Sequence, residues 1–367
     1  MTEEKKTILT AADAAAVEPA RIRAVEELLD PGEPIANVVG VAAGVKWKNG
    51  EPTGDPAVLV LVTHKLDKDD LGPDDVVPTK LGNVKTDVLE VGYPIAEQLQ
   101  APPVVEGNGT VTLAEEQYVA LADALMLAKR TRPAEGGYSV GHFKITAGTI
   151  ATCVYDILPG GSTSGSPAIG VGMPPRYYVL SNNHVLANVN DASIGDPILQ
   201  PGPYDGGTDP ADRIATLTRW IPIMLEPPTP RALHRNLVDA AIAQGQFHDL
   251  DREIYWSGYV HGWRRKANVA VGTIVQKTGR TTNYTVGRIT AVNATIDVGF
   301  GGGRVGRFRD QIVLTNMSAG GDSGSLITTL DNVAVGLLFA GSSVATIANQ
   351  IENVRSLLRV EIAEQVM

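Results

Sequence analysis

Three residues in the chain, in the order His184, Asp239 and Ser323, are of the types that acyl transfer by serine requires. That chemistry needs a hydroxyl to attack, an imidazole to take its proton, a carboxylate to orient the imidazole, and backbone donors for the oxyanion. In "YVLSNNHVLAN" (178–188), His184 follows a β-like run and opens a short helical turn, a place from which a loop presents an imidazole at a cleft. Taken alone, it is equally well a structural or surface histidine. In "NLVDAAIAQ" (236–244), Asp239 stands between Val238 and Ala240 in an apolar run, where a carboxylate is costly unless it meets a cation or a donor. The plainer alternative is a carboxylate in a turn at a strand end. In "GGDSGSL" (320–326), Gly321 and Gly324 allow a tight turn that aims the N–H groups of Gly321 and Ser323 at one point, although a solvated Gly/Ser loop has the same composition. A second stretch, "GGSTSGSPAI" (160–169), looks similar, but Ser164 and Ser166 precede His184 and lack the Gly-Asp lead-in, so it reads as a hairpin turn.

The elements that must position these residues are mostly strands. The 367 residues are 43% hydrophobic, rich in glycine (39) and proline (23) and only 5% aromatic, which predicts short strands joined by tight turns in a chain long enough for two cores. Residues 19–29 space Ile22, Val25, Leu28 and Leu29 on one helical face, with Pro19 in the first turn. Two β-rich runs within 37–66 are joined by a segment holding Asn49-Gly50, in which Pro52 and Gly54 predict a longer loop, and 82–92 supplies a third run. A helix is predicted over 113–133, ending at Pro133, and "AEGGYSVG" after it reads as a hinge. The domain boundary is placed near 134–138, giving an N-terminal α/β accessory domain over 1–135 and a β domain over 136–367. In the latter, many β-runs separated by Gly, Pro and Asn predict a barrel or sandwich, closed by a helix within 348–363.

A net charge of −10 argues against nucleic acid or an anionic membrane as partner, and no stretch reaches membrane-spanning length. The N-terminus lacks the apolar core of a secretory signal, which predicts a cytoplasmic protein. Cys153, the single cysteine, lies in an alternating strand pattern and reads as a buried structural thiol. His64, His142, His234, His248 and His261 are scattered without metal-site spacing. The glycines of "GFGGGRVG" (299–306) fall between β-runs instead of ahead of a helix, which argues against a phosphate cradle there.

Together, "LSNNHVL", "LVDAAIA" and "GGDSGSL" resemble the three catalytic blocks of trypsin-like, chymotrypsin-fold serine peptidases, in that family's order. "VQKTGRTTNYTVGRITAVNATI" (275–296) is similar to the "GRTT" hairpin of α-lytic-type members, with Asn283 where that group usually has glycine. "VVGVAAGVKWKNGEPTGDPAVLVLVTHKL", "TDVLEVG", "ILQPGPYDGG" and "VGLLFAG" resemble an intracellular branch that includes bacterial members and the plant narrow-leaf protein, with a small domain before the barrels. The resemblance implies a chymotrypsin-like double β-barrel, with His184 as general base, Asp239 as its orienting carboxylate and Ser323 as nucleophile. It also implies that Asp322 pairs inward with a cation, for which Lys277 is the first candidate and Arg280 the second. Met317, six residues before the nucleophile, is implied at the base of the specificity pocket, with Phe339, Ala340 and Gly341 along one wall. With nothing acidic there, a small or medium apolar residue before the scissile bond is expected. The reading is an endopeptidase acting on protein or peptide substrates, without cofactor or metal and self-associating as a homo-oligomer. An inactive partner-binding scaffold and an esterase using the same triad are the alternatives.

Overall fold

The computed structural model describes residues 9–30, 35, 37–48, 51–73, 75–96, 126–144, 147–157 and 176–362. The chain opens with α1 (Ala11–Ala24), eight residues earlier than the spacing around Pro19 predicts. Thr10 and Asp13 form a capping box, and the alanine-rich run after it has high helix propensity, so Pro19 falls inside the helix. The buried stripe is Val17, Ala20, Ala24 and Leu28, whereas Ile22 is 50% exposed. β1 (Val38–Lys48) and β2 (Glu51–Val62) then pair antiparallel, and Pro52 and Gly54 belong to β2 instead of a long loop. Proline is tolerated there because the next strand reaches only the far half of β2, leaving one edge of residues 51–56 open. β3 (Lys80–Leu81) and β4 (Val84–Glu90) complete this layer, with β4 parallel to β2.

β5 (Ala134–Gly136) leads into the first barrel, made of β6 (Ser139–His142), β7 (Gly148–Thr149), β8 (Thr152–Asp156), β9 (Tyr177–Ser181), β10 (Pro197–Leu199), β11 (Arg213–Trp220) and β12 (Ala241–Gly245). The order is β8-β9-β12-β11-β10-β6-β7. Since β7 runs on almost directly into β8, and Gly137 N and Ile150 N bond across at 2.8 and 2.9 Å, the sheet closes on itself. Val140, Ile150, Cys153, Val179, Ile198 and Leu217 fill its core. A short helix, α2 (Asn183–Leu186), follows β9, and β13 (Leu250–Ile254) pairs with β5 on the way out.

After β14 (Gly262–Trp263), the second barrel comprises β15 (Ile274–Gly279), β16 (Asn283–Gly299), β17 (Val305–Thr315), β18 (Leu326–Thr329), β19 (Val333–Gly341) and β20 (Ala345–Gln350). Its order β15-β18-β19-β20-β17-β16 closes through the β15–β16 hairpin. Asn283 adopts φ 55°, so asparagine supplies there the left-handed conformation for which glycine is usual. The 17 residues of β16 pair with two strands in turn: residues 283–288 pair with β15, and residues 291–296 pair with β1. The N-terminal strands thus extend the second barrel's sheet as β16-β1-β2-β4-β3, and Val41, Val58 and Val60 share one apolar cluster with Val275, Ile289 and Leu338. The terminal helix, α3 (Ile351–Leu358), is shorter than the predicted 348–363, because residues 348–350 belong to β20 and Val360–Glu361 form β21 on β8. Ile351, Val354 and Leu358 pack between Leu180 and Ile242 of one barrel and Leu326 and Leu337 of the other. The architecture is mainly β, a chymotrypsin-like double barrel with a C-terminal helix. Most of the helix expected at 113–133 and the whole stretch 160–169 lie outside the described residues.

Candidate active site

His184 sits in α2, at the corner where β9 leaves the first barrel. Asp239 accepts twice from this one residue: His184 N donates to Oδ1 at 3.1 Å and Nδ1 to Oδ2 at 2.6 Å, which fixes both the ring plane and a proton on Nδ1. The carboxylate and imidazole are 0% and 1% exposed. Around Asp239, Asn182 Nδ2 donates to its carbonyl at 2.7 Å, and its N–H donates to Asn349 Oδ1 at 3.0 Å, with Asn349 held by Gln311 at 2.7 Å. These bonds tie the His-Asp pair to both barrels. His184 Nε2 is buried and has no hydrogen-bond partner, so it is a proton acceptor with nothing donating to it, and Ser323 Oγ is not bonded to it in this structure. Such contacts commonly tighten only when substrate is bound.

Ser323 lies in the turn before β18, between Gly321 at φ 93° and Gly324 at φ 98°. A Cβ at Gly324 would also fall onto Ser181 Oγ and Thr149 O, so glycine is required on two counts. Thr149 N donates to Ser323 O at 2.8 Å, Thr149 Oγ1 to Gly321 O at 2.8 Å, and Ser181 Oγ to Thr149 O at 2.7 Å. The turn is therefore clipped to β7 and to the last residue of β9, three positions before His184. A Cβ at Gly148 would fall onto both the Val185 side chain and Ser323 O, so the residue after His184 and the serine's carbonyl approach the same side of one glycine.

Two peptide planes in this turn are oriented by their carbonyls. Thr281 Oγ1 donates to Gly320 O at 2.6 Å, and Ser325 donates to Asp322 O through Oγ at 2.6 Å and N at 3.0 Å. In a planar trans peptide the N–H points opposite to the C=O, so the N–H groups of Gly321 and Ser323 are turned away from those anchors. Among the described residues, neither has an acceptor. Two preset, unused donors beside a serine are what an oxyanion site requires. Thr149 and Thr281 were not singled out by the sequence reading, although Thr281 lies in the quoted "GRTT" segment.

Asp322 turns inward. Lys277 Nζ is 3.2 Å from its Oδ2, both side chains 0% exposed. Thr281 N and Thr282 N donate to Oδ1 at 2.9 and 3.1 Å, while Thr282 Oγ1 and Ala319 N donate to Oδ2 at 2.5 and 3.1 Å. Burial lowers the Lys277 pKa, and the Asp322 charge opposes that effect. Arg280, the second candidate, is engaged elsewhere: its guanidinium pairs with Asp205, with Nε 2.9 Å from Oδ2.

Of the four residues expected around a specificity pocket, Ala340 and Gly341 line the cavity beside Ser323, and Met317 and Phe339 do not. Met317 is 5% exposed and joins the core cluster around Val275 and Ile289, its sulfur facing the space left by Gly287. A register shift between Leu338 and Ala340 turns Phe339 into the core, 4.7 Å from the Phe308 ring. The cavity beside Ser323 is instead lined by Ser318, Ala319, Ala340, Gly341 and Ile95, and it measures about 30 Å³. Ser318 Oγ is bonded to Thr346 Oγ1 at 2.7 Å, so this part of the lining is polar but uncharged.

The other histidines stay apart from this site. His142 contacts Asp196 at 2.9 Å, His234 meets Thr229 O at 2.8 Å, and His64 and His248 are exposed. Cys153 Sγ donates to Asp251 O at 3.0 Å, and burial pushes its thiol up to about 12. Among the described residues, no cluster of three or more metal-ligating side chains occurs, and no helix is long and apolar enough to cross a membrane.

The solved structures that this chain resembles include serine proteases. Thermobifida fusca Protease A is 16% identical at a TM-score of 0.41, covering 62% of this chain and 97% of its own. Nocardiopsis Protease is 18% identical at 0.41, covering 62% and 97%. A glutamic acid specific serine protease is 20% identical at 0.39, covering 62% and 99%. No protein-family profile and no curated protein sequence matches the chain.

Proposed function

We propose that the chain is a serine endopeptidase working through an acyl-enzyme on Ser323. The observation that carries this reading is the buried His184–Asp239 pair, 2.6 Å apart, whose second ring nitrogen is left without a partner next to the serine turn. The Ser323 oxygen bonds to the peptide carbonyl carbon as its proton passes to His184 Nε2. The carbonyl oxygen becomes an oxyanion received by the N–H groups of Gly321 and Ser323, and Asp239 stabilises the imidazolium. The C–N bond then breaks, and the proton on Nε2 goes to the leaving amine. Water repeats the attack with Nε2 as base, and Ser323 recovers its proton as the acyl group departs.

The small uncharged cavity supports a short side chain on the acyl residue, such as alanine. The N-terminal motifs quoted above support membership of the intracellular branch with its accessory domain. A fluorophosphonate reagent tests the reading: wild type is expected to carry the phosphonyl adduct on Ser323, and Ser323→Ala none. Equal and negligible labelling of both would refute it. Parallel peptide and ester panels distinguish a peptidase from an esterase.

A further inference from the structure

Beyond β4 the chain crosses the face that holds Ser323. Residues 93–96 thread between the last residue of β16, Gly299, and the last residue of β19, Gly341. On one side, Ile95 N donates to Gly341 O at 2.9 Å and Gly341 N donates back to Ile95 O at 3.1 Å. On the other, Ala96 N donates to Gly299 O at 2.9 Å and Gly299 N to Pro94 O at 3.0 Å. Ser342 Oγ anchors the approach by donating to Val91 O at 2.6 Å. Ile95 and Gly341 thus form an antiparallel, doubly hydrogen-bonded pair, and Ile95 also closes the cavity shared with Ser323.

An endopeptidase must hold several residues of an extended chain, and sheet edges do this with main-chain hydrogen bonds while pockets read the side chains. The end of β19 is the edge that enters the Ser323 cavity, through Ala340 and Gly341. Its main-chain donor and acceptor at Gly341 are already taken. A peptide and residues 93–96 therefore compete for the same groups.

We infer that residues 93–96 are a built-in competitor, a strap of the chain's own backbone lying where an extended substrate must pair, so that peptide cleavage requires its withdrawal. The inference rests on the peptidase reading above. The apparent affinity for a peptide then falls by the fraction of molecules whose strap is withdrawn. A reagent that reaches Ser323 without main-chain pairing does not compete for Gly341.

The experiment measures two labelling rates in the full-length chain: that of a small alkyl fluorophosphonate and that of a tetrapeptidyl phosphonate ending in an alanine analogue. Wild type is compared with Ile95→Pro, which removes the N–H given to Gly341 O, and with Ser342→Ala, which removes the anchor on Val91 together with the acceptor that Ser342 Oγ offers to Val344 N and Ala345 N. Circular dichroism checks that each is folded. The expected result is a rise of about tenfold or more in the ratio of peptidyl to small-probe rate in both variants, a factor set by the closed fraction. An unchanged ratio with normal small-probe labelling overturns the strap alone. Failure of the small probe to label any of the three folded proteins overturns the peptidase reading itself.

Discussion

Replacing Lys277 by methionine removes the cation paired with Asp322 while keeping most of the side-chain volume. Both partners are fully buried and 3.2 Å apart, and removing one member of such a pair costs about 3–5 kcal/mol. Asp322 keeps four other donors, from Thr281 N, Thr282 N, Ala319 N and Thr282 Oγ1, which places the loss near the lower bound, at about 3 kcal/mol. Desolvation lowers the Lys277 pKa, so burying this charge is itself a cost, and neutralising both partners returns part of it. Lys277→Met with Asp322→Asn is therefore expected to be more stable than the sum of the two single changes, by about 2 kcal/mol. Urea unfolding of the four proteins, followed by tryptophan fluorescence, measures the cycle, and labelling of Ser323 shows whether the turn keeps its shape. A single-variant loss below about 1 kcal/mol, or strict additivity, would refute the argument that this pair sets the conformation of the serine turn.

Thr281→Val is expected to lower kcat about tenfold with KM little changed, a fraction of the cost of deleting an oxyanion donor, because it frees the Gly320–Gly321 peptide to rotate. Steady-state kinetics on a strap-weakened background would show this, and an unchanged kcat would remove Thr281 from the site. Gly324→Ala forces a Cβ onto Ser181 Oγ and Thr149 O at φ 98°, so a loss of about 3 kcal/mol or more is expected in the same urea assay. Glu135 is pushed from 4.5 up to about 7, first by burial and then by Glu253 and Asp251. Its folded pKa exceeds its unfolded one, so its contribution is fully present below about 4.5 and is lost as pH rises towards about 7. Glu135→Gln should flatten the melting temperature over that window, and an unaltered slope would contradict the shift.

The residues proposed for the chemistry are legible because each is written in local sequence. The turn around Ser323 needs glycines on both sides, Asp239 is a charge in an apolar run, and His184 follows a strand. Asn283 was read as a departure, yet its φ of 55° retains the turn that glycine would make. Facing within a strand was less legible. Counting six back from Ser323 locates Met317, but only the gap at Gly287 explains why its side chain turns into the barrel. Phe339 is turned by a register shift in β19 that alternation does not reveal. Pro19 reads as a first-turn signal, but the Thr10–Asp13 capping box starts α1 at Ala11 and leaves the proline inside the helix. Nothing in "VGYPIAE" marks a strap, since its role comes from two strand ends, Gly299 and Gly341, distant in the chain.

The central claim is that His184, Asp239 and Ser323 act as one unit. Its most direct test is the second-order rate of Ser323 modification by a small fluorophosphonate in wild type, His184→Ala, Asp239→Asn and the double variant. Each single change is expected to slow modification by about a thousandfold or more, and the double by hardly more than the worse single, because members of one unit are not additive. A His184→Ala variant that reacts as fast as wild type would contradict the account.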